Sequence, residues 1–250
     1  MYRSWLVDFN LLKKNYKGQS VPVVGGVVLI VFSMLFYYIL YLINFIERGL
    51  LEIYLFIVII IGLMGLLDDI KGSKESQGLS GHLKSLMKGY LTTGILKIII
   101  TLVLSILVSV QISNYNIYIH IINAAVITLM TNFLNLLDLR PGRSMKFFLI
   151  VSFLLILLKK NSIVYFLPLL AVFVFYFPFE LKGRIMLGDS GANLLGAVLG
   201  FNTIIIIDSL FYKLVIMLFL LFMNIISEKI SFSSVISRNR TLRWIDQFGR

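Results

Sequence analysis

The residues IYLFIVIIIGLMGLLDD at positions 53–69 combine a continuous apolar run with two adjacent aspartates at its end. The rest of the 250-residue chain has the same character, with 59% hydrophobic residues, only 14% charged residues and a mean hydropathy of +0.94. A soluble domain could not carry so much apolar surface. Because the apolar runs are continuous and not alternating, they predict spanning helices and not strands of a closed barrel. The sequence therefore predicts an all-α polytopic membrane protein.

Apolar runs that approach the width of a bilayer recur along the whole sequence. They cover residues 23–46, 53–67, 91–110, 117–137, 145–158, 163–179, 193–207 and 211–226. A spanning helix needs about 20 residues, with roughly 17 as the lower limit, so the runs 53–67, 145–158 and 193–207 are short. We expect about eight transmembrane helices in a single integral-membrane domain over residues 1–250, because the connecting segments are too short for a second domain.

Positive charge is distributed unevenly among the connecting segments. Of the 23 Lys and Arg residues, 18 lie in the segments 1–22, 68–90, 138–146, 180–192 and 227–250. Short cytoplasmic segments of membrane proteins carry such an excess. We therefore expect a multi-pass protein of the cell membrane with both termini and the working face in the cytoplasm, including a basic tail at 227–250. This bias also explains most of the net charge of +11, so no nucleic-acid partner is predicted.

Asp68 and Asp69 end the second predicted helix where the chain leaves the bilayer. Carboxylates at a helix C-terminus oppose the helix dipole, which favours a functional role over a plain helix end that faces water. Two carboxylates at a membrane surface suit Mg²⁺, a hard cation that takes one or two carboxylates together with substrate phosphates. They equally suit the removal of a proton from a phosphate or hydroxyl nucleophile.

Two further polar motifs lie at the same predicted face. Asn132, Asn135 and Asp138 are spaced i, i+3, i+6 and share one side of the fourth predicted helix at its end. Such a stripe faces the bundle interior or a water-filled cleft, as a polar-ligand site or as asparagines that join helices. The Gly188-Asp189-Ser190-Gly191 segment precedes the seventh predicted helix, so its amides point at the same cleft; a plain N-cap is the alternative. Its glycines permit close approach of a ligand or an unusual backbone angle.

Taken in order, these motifs resemble those of the polyprenyl-phosphate N-acetylhexosamine-1-phosphate transferases, the superfamily of phospho-N-acetylmuramoyl-pentapeptide transferase. The similarity extends from about Lys17 to about Gly200. The matching segments are Val21-Pro22-Val23-Val24-Gly25-Gly26, Gly65-Leu66-Leu67-Asp68-Asp69, Gly78-Leu79-Ser80 with Lys84, Asn132 to Asp138, and Met186-Leu187-Gly188-Asp189-Ser190-Gly191. Each motif is weak alone, but the shared order and the shared predicted face make the resemblance strong.

The resemblance implies an enzyme that transfers a sugar-1-phosphate from a UDP-sugar to a polyprenyl phosphate, with release of UMP and with Mg²⁺ as cofactor. This reaction belongs to the biosynthesis of cell-envelope polymers. The resemblance further implies that Asp189 binds the metal and that Asp68, assisted by Asp69, activates the lipid phosphate. It leaves a homodimer open.

The resemblance and the side-chain chemistry together predict seven substrate-binding residues: Lys17, Lys84, Asn132, Asn135, Asp138, Arg140 and Arg143. The first two are predicted phosphate contacts, and the next three are expected to line the nucleotide pocket. The two arginines flank Pro141, which stands where the family has a second aspartate. Arginine can hold a diphosphate through two hydrogen bonds, and the alternative is a pair of anchors that meet lipid headgroups.

Two other classes of function are consistent with parts of this pattern. The tail 231–250 has arginines but no histidine where the family has a His-rich loop, as in a catalytically inactive lipid-phosphate-binding or scaffold member. Retention of the three acidic sites argues against that class, because carboxylates near the membrane interior are unfavourable without a ligand. A transporter is disfavoured, because transporter sites lie near the midplane of the bilayer.

Overall fold

The computed structural model of the chain describes residues 6–71, 89–90, 92–112 and 116–250. Two strands, β1 (Leu12–Lys14) and β2 (Ser20–Pro22), form a short antiparallel hairpin near the N-terminus. Within the described residues, eight long helices follow: α1 (Gly25–Leu42), α2 (Arg48–Lys71), α3 (Thr93–Ile112), α4 (Ile117–Leu137), α5 (Arg143–Leu158), α6 (Ile163–Leu181), α7 (Gly188–Ile206) and α8 (Leu210–Ser227). A 3-10 turn at Lys160–Ser162 joins α5 to α6. Two short helices, α9 (Phe232–Arg238) and α10 (Arg240–Gln247), follow α8.

The predicted all-α polytopic membrane fold is confirmed, and each of the eight predicted apolar runs corresponds to a helix. Among the described helices, seven are long and apolar enough to cross a membrane. The exception is α5, whose 16 residues extend about 24 Å at 1.5 Å per residue. It nevertheless runs back along the bundle beside α6. The amide of Gly142 at its start donates to Glu180 near the end of α6, while the 3-10 turn joins the opposite ends of the two helices.

Two predicted boundaries differ from those of the structure at the polar motifs. The apolar run 53–67 is shorter than its helix, which extends to Lys71, and Asp68 and Asp69 lie in the last turn of this helix, as predicted. The helix predicted over 193–207 begins at Gly188, so the Gly188-Asp189-Ser190-Gly191 segment forms its first turn. Hydropathy alone ends a helix at its first charged residues. Here those residues stay helical because other parts of the protein supply their hydrogen-bond partners.

Helix α7 is the centre of the bundle. Over its membrane-spanning length 89% of its residues are buried, compared with 50% for α2 and 17% for α8. It packs against α1, α2, α4 and α5. Small residues permit this packing; a Cβ atom at Gly196 would lie 2.7 Å from the carbonyl oxygen of Met130 on α4. The outer helices expose large apolar side chains such as Phe32 and Phe175, as expected of surfaces that face lipid.

Several connecting segments meet at one end of the bundle, here called the polar end. The amide of Met186, between α6 and α7, donates to the carbonyl oxygen of Pro22 in β2 at 2.9 Å. The guanidinium of Arg250 donates to the carbonyl oxygen of Pro141, between α4 and α5, at 2.9 Å. The N-terminal hairpin, both turns and the C-terminal tail therefore share this end. That it faces the cytoplasm stays a prediction from the Lys and Arg distribution.

Candidate active site

Three charged side chains from three helices meet at the polar end, and we call them the carboxylate cluster. Lys97 Nζ on α3 lies 2.9 Å from Asp68 Oδ2 on α2 and 2.8 Å from Asp189 Oδ2 on α7. Thr93, one turn before Lys97, donates its hydroxyl to the second oxygen of Asp68. The side chains of Lys97 and Asp68 are 12% and 15% exposed, whereas that of Asp189 is 36% exposed. The cluster is therefore closed towards the bundle and open at Asp189.

Asp69 holds the first turn of α7 in place. Its buried carboxylate accepts four hydrogen bonds, from the amides of Asp189 and Ser190, from Ser190 Oγ and from Lys13 Nζ, at distances of 3.0–3.1 Å. The free amides and the positive end of the helix dipole favour a negative charge at this place. Asp69 thus acts as an N-terminal cap supplied by another helix, and it fixes the backbone that carries Asp189.

Glycines allow α1, α2 and α7 to approach closely at the same place. A Cβ atom at Gly65 on α2 would lie 2.6 Å from the carbonyl oxygen of Asp189, and one at Gly26 on α1 would overlap Ser190 Oγ. Gly188 has a φ of 73°, which favours glycine, and a Cβ there would lie 2.6 Å from Asp69 Oδ2. The unusual backbone angle is thus present at Gly188. The close approaches at these three glycines are to the protein's own chain.

Asp138 lies just beyond α4 and close to a second acidic side chain. The hydroxyl of Ser144 lies 3.2 Å from Asp138 Oδ1. Glu180 is buried and accepts hydrogen bonds from the Tyr176 hydroxyl and the Gly142 amide. Burial raises the pKa of Asp138 well above its usual range, and the negative charges of Glu180 and Asp189 raise it further. Asp138 therefore belongs to the same electrostatic environment as the carboxylate cluster.

The two asparagines of the polar stripe are placed differently from each other. The side-chain amide of Asn132 donates to the side-chain oxygen of Asn224 on α8. The side-chain amide of Asn224 in turn donates to the carbonyl oxygen of Leu220. This contact joins two helices, which was the alternative interpretation of the asparagines. Asn135 is half-buried. A nucleotide-binding role for either residue stays a prediction.

The predicted basic contacts line a separate cleft of about 560 Å³ between the N-terminal hairpin, the turn before α5 and the C-terminal helices. Its cationic lining residues are Lys17, Arg140, Arg143, Arg243 and Arg250. Arg143 is buried; its guanidinium donates to both carboxylate oxygens of Asp246, at 2.8 and 3.3 Å, and to Ser233 Oγ. Lys17 Nζ and Arg140 Cζ each lie 5.4 Å from the centre of the Tyr16 ring. Lys84 and the Gly78-Leu79-Ser80 segment lie outside the described residues.

Comparison with known families gives one match. The family model for Glycosyl transferase family 4 matches residues 51–207, which is more than half of the chain. The chain belongs to this family. Its members are polyprenyl-phosphate sugar-phosphate transferases, as the order of the motifs predicted. No curated protein and no solved structure is similar enough to the chain to count as a match.

The family match covers the carboxylate cluster and α7, and it leaves out the N-terminal hairpin and the basic tail. Family 4 members are membrane-bound transferases of sugar phosphates, and the carboxylate cluster has oxygen donors suited to a hard divalent cation. No group of three or more acidic or histidine side chains forms a ready metal site among the residues described. Asp68 and Asp189 nevertheless converge on one cation, the Lys97 ammonium. Two carboxylates are enough when substrate phosphates supply the other ligands, so the residues fit Mg²⁺.

The site residues predicted from the sequence do not include several that the structure places there. Lys97 and Thr93 bind Asp68, and Lys13 binds Asp69. A signal for Lys97 was present, because a lysine inside an apolar run needs a charged partner. Its spacing of four from Thr93 places both on one helix face. Lys13 had no such signal, since it was one of several basic residues in a polar segment.

Proposed function

We propose that this family 4 member transfers a sugar-1-phosphate from a UDP-sugar to a polyprenyl phosphate in the synthesis of a cell-envelope polymer. An oxygen of the lipid phosphate forms a bond to the phosphorus that carries the sugar, the bond between the two nucleotide phosphates breaks, and UMP leaves. The observation that carries the proposal is the meeting of Asp68 and Asp189 at the polar end of an apolar bundle. A lipid phosphate can reach that place while its tail stays in the bilayer.

In this proposal Asp189 and Asp68 hold Mg²⁺, which when bound neutralises charge on the diphosphate. Phosphoryl transfer depends mainly on positioning and on charge neutralisation. Thr93 donates to one oxygen of Asp68 and Lys97 to the other, so the two contacts orient its carboxylate before the metal and the lipid phosphate bind. Asp189 is the most exposed member of the cluster and therefore the most accessible to substrate.

The other residues have supporting roles in the proposal. Asp69 positions Asp189 through the first turn of α7. The basic cleft and the cavity lined by Asp138, which shares Tyr16 and Arg140 with it, are proposed to receive the nucleotide, with Lys17 and Arg140 towards its phosphates. The excess of Lys and Arg in the segments of the polar end supports a cytoplasmic site, where UDP-sugars are made available to the enzyme. A homodimer is compatible with this arrangement.

One observation favours the second candidate, a non-catalytic lipid-phosphate-binding or scaffold member of the family. Asp68 and Asp189 share Lys97, and Asp69 is paired with Lys13, so two lysines of the chain compensate two of these three negative charges. Most of the charge of these carboxylates is therefore compensated without a metal or a substrate.

A membrane assay distinguishes the two candidates. Purified protein in lipid nanodiscs is incubated with polyprenyl phosphate, Mg²⁺ and each of a small panel of UDP-sugars, and UMP release is measured. The transferase releases UMP with at least one sugar nucleotide and only when the lipid is present. The scaffold binds polyprenyl phosphate but releases no UMP with any member of the panel.

A further inference from the structure

Lys97 is an unusual residue for its position. It lies in an apolar membrane-spanning helix, where a lysine is unfavourable unless it is paired or faces water. Its side chain is only 12% exposed, and its ammonium contacts two carboxylates at 2.9 and 2.8 Å. The lysine therefore supplies the positive charge that keeps Asp68 and Asp189 next to each other.

We propose that Lys97 is a resident counter-ion that competes with a divalent cation for Asp68 and Asp189. The inference rests on the Mg²⁺ site of the proposed function. A metal binds there only when the Lys97 ammonium moves away from at least one of the two carboxylates. Metal affinity is thus set by a lysine of α3 as well as by the acidic ligands.

The geometry gives the reason for competition. Lys97 Nζ lies between Asp68 Oδ2 and Asp189 Oδ2, within hydrogen-bonding distance of both oxygens. Mg²⁺ binds carboxylate oxygens at about 2.0–2.1 Å, so a metal on these atoms would lie within a few ångströms of the ammonium. Like charges at such a distance in a partly buried site repel strongly. The lysine has a flexible four-carbon stem and can move, whereas the α7 backbone that carries Asp189 is fixed by Asp69.

A second consequence concerns the protein without metal. If the positive charge of Lys97 is removed, two carboxylates are left side by side with no cation between them. The folded protein then loses stability, and a divalent cation restores it. If Lys97 had a merely structural role, its replacement would lower the stability of the protein without any gain in metal affinity.

The test is Mn²⁺ binding, followed by electron paramagnetic resonance, to the purified full-length protein and its variants. Lys97→Met removes the charge, Lys97→Gln keeps hydrogen-bonding capacity without charge, and Lys97→Arg keeps the charge. Lys213→Met is the matched control, because Lys213 is a buried lysine of α8 outside the cluster. Loss of a charge-assisted contact corresponds to roughly a tenfold or larger change in affinity.

We expect Lys97→Met and Lys97→Gln to bind Mn²⁺ roughly tenfold or more tightly than the wild type. Lys97→Arg and Lys213→Met should show no such gain. The thermal midpoint of Lys97→Met should lie below that of the wild type without metal and recover with Mn²⁺. If Lys97→Met does not fold, Lys97→Gln gives the same comparison.

If the wild type binds Mn²⁺ and neither Lys97→Met nor Lys97→Gln binds it more tightly, the inference is overturned and the proposed Mg²⁺ site stands. Absence of Mn²⁺ binding in every protein overturns both the inference and the Mg²⁺ site. The transfer reaction itself is tested separately by UMP release.

Discussion

Replacement of Asp69 by asparagine should destabilise the protein more than any other isosteric change at the polar end. Each carboxylate oxygen of Asp69 accepts two hydrogen bonds, and the side chain is 2% exposed. Asparagine has one acceptor oxygen, so its NH2 group would face two donors that lose their partner. Buried hydrogen bonds to a charged group are worth roughly 1.5–3 kcal/mol each, and the interaction with the helix dipole adds about 0.3–1 kcal/mol.

We expect a loss of about 3 kcal/mol for Asp69→Asn, smaller than the sum because the neighbouring groups relax. A chain of this size loses roughly 2–4 °C in its thermal midpoint per kcal/mol. The midpoint should therefore fall by about 6–12 °C in detergent micelles. Lys13→Met should lose about 1 kcal/mol or less, because the lysine is 39% exposed.

Asp208→Asn is the matched control, since Asp208 is exposed in the turn before α8 and such changes stay within about 0.5 kcal/mol. A midpoint for Asp69→Asn within the range of this control would refute the capping role of Asp69. Equal losses for Asp69→Asn and Lys13→Met would show that the ion pair, and not the cap of α7, makes the contribution.

Three further predictions concern other parts of the polar end. The pKa of Asp138 is raised in the folded protein, so ionisation of Asp138 lowers the stability as the pH rises from about 4 through that pKa. Asp138→Asn should flatten this decline in thermal midpoints measured from pH 4.5 to 8. Parallel pH curves for the wild type and the variant would contradict the prediction. Arg143→Lys should loosen α9 and α10, because lysine cannot bind both oxygens of Asp246; faster hydrogen exchange over residues 232–247 is expected, with weaker UDP-sugar binding if the arginine also contacts phosphate. Unchanged exchange would show that other contacts hold these helices. Gly26→Ala should lose about 2 kcal/mol by overpacking against Ser190 and Gly191, whereas Gly49→Ala, with open space around it, should be neutral or slightly stabilising in the same thermal assay.

The membrane fold was predictable because it depends on composition and on the length of apolar runs. Helix ends were not, because they depend on partners distant in sequence. Asp68 and Asp69 remain helical since Lys97, Lys13 and Ser190 bind them. A hydropathy pattern cannot register such partners, so it ended α2 four residues early and began α7 five residues late.

The gathering of the acidic motifs was predictable from their shared position at one predicted face of the membrane. Their individual roles were not, because adjacent residues on a helix point in different directions. Asp68 faces Lys97 and Asp189, while its neighbour Asp69 turns towards the backbone of α7. Arg143 was predicted as a substrate contact from its position after Asp138. Its partner Asp246 lies 103 residues further along the chain. The pairing depends on how the C-terminal tail folds back, which no local sequence pattern shows.

Formation of a polyprenyl diphosphosugar by the purified protein is the most direct test of the proposed transfer at the carboxylate cluster. Wild type and Asp189→Asn are incubated with Mg²⁺, polyprenyl phosphate and the UDP-sugar that gives the most UMP, and the extracted lipids are identified by mass spectrometry. Asn preserves the shape of the side chain but removes the charge that a hard cation needs. The account predicts the lipid product from the wild type, none without Mg²⁺, and none from a folded Asp189→Asn variant. Undiminished product from that variant would contradict it.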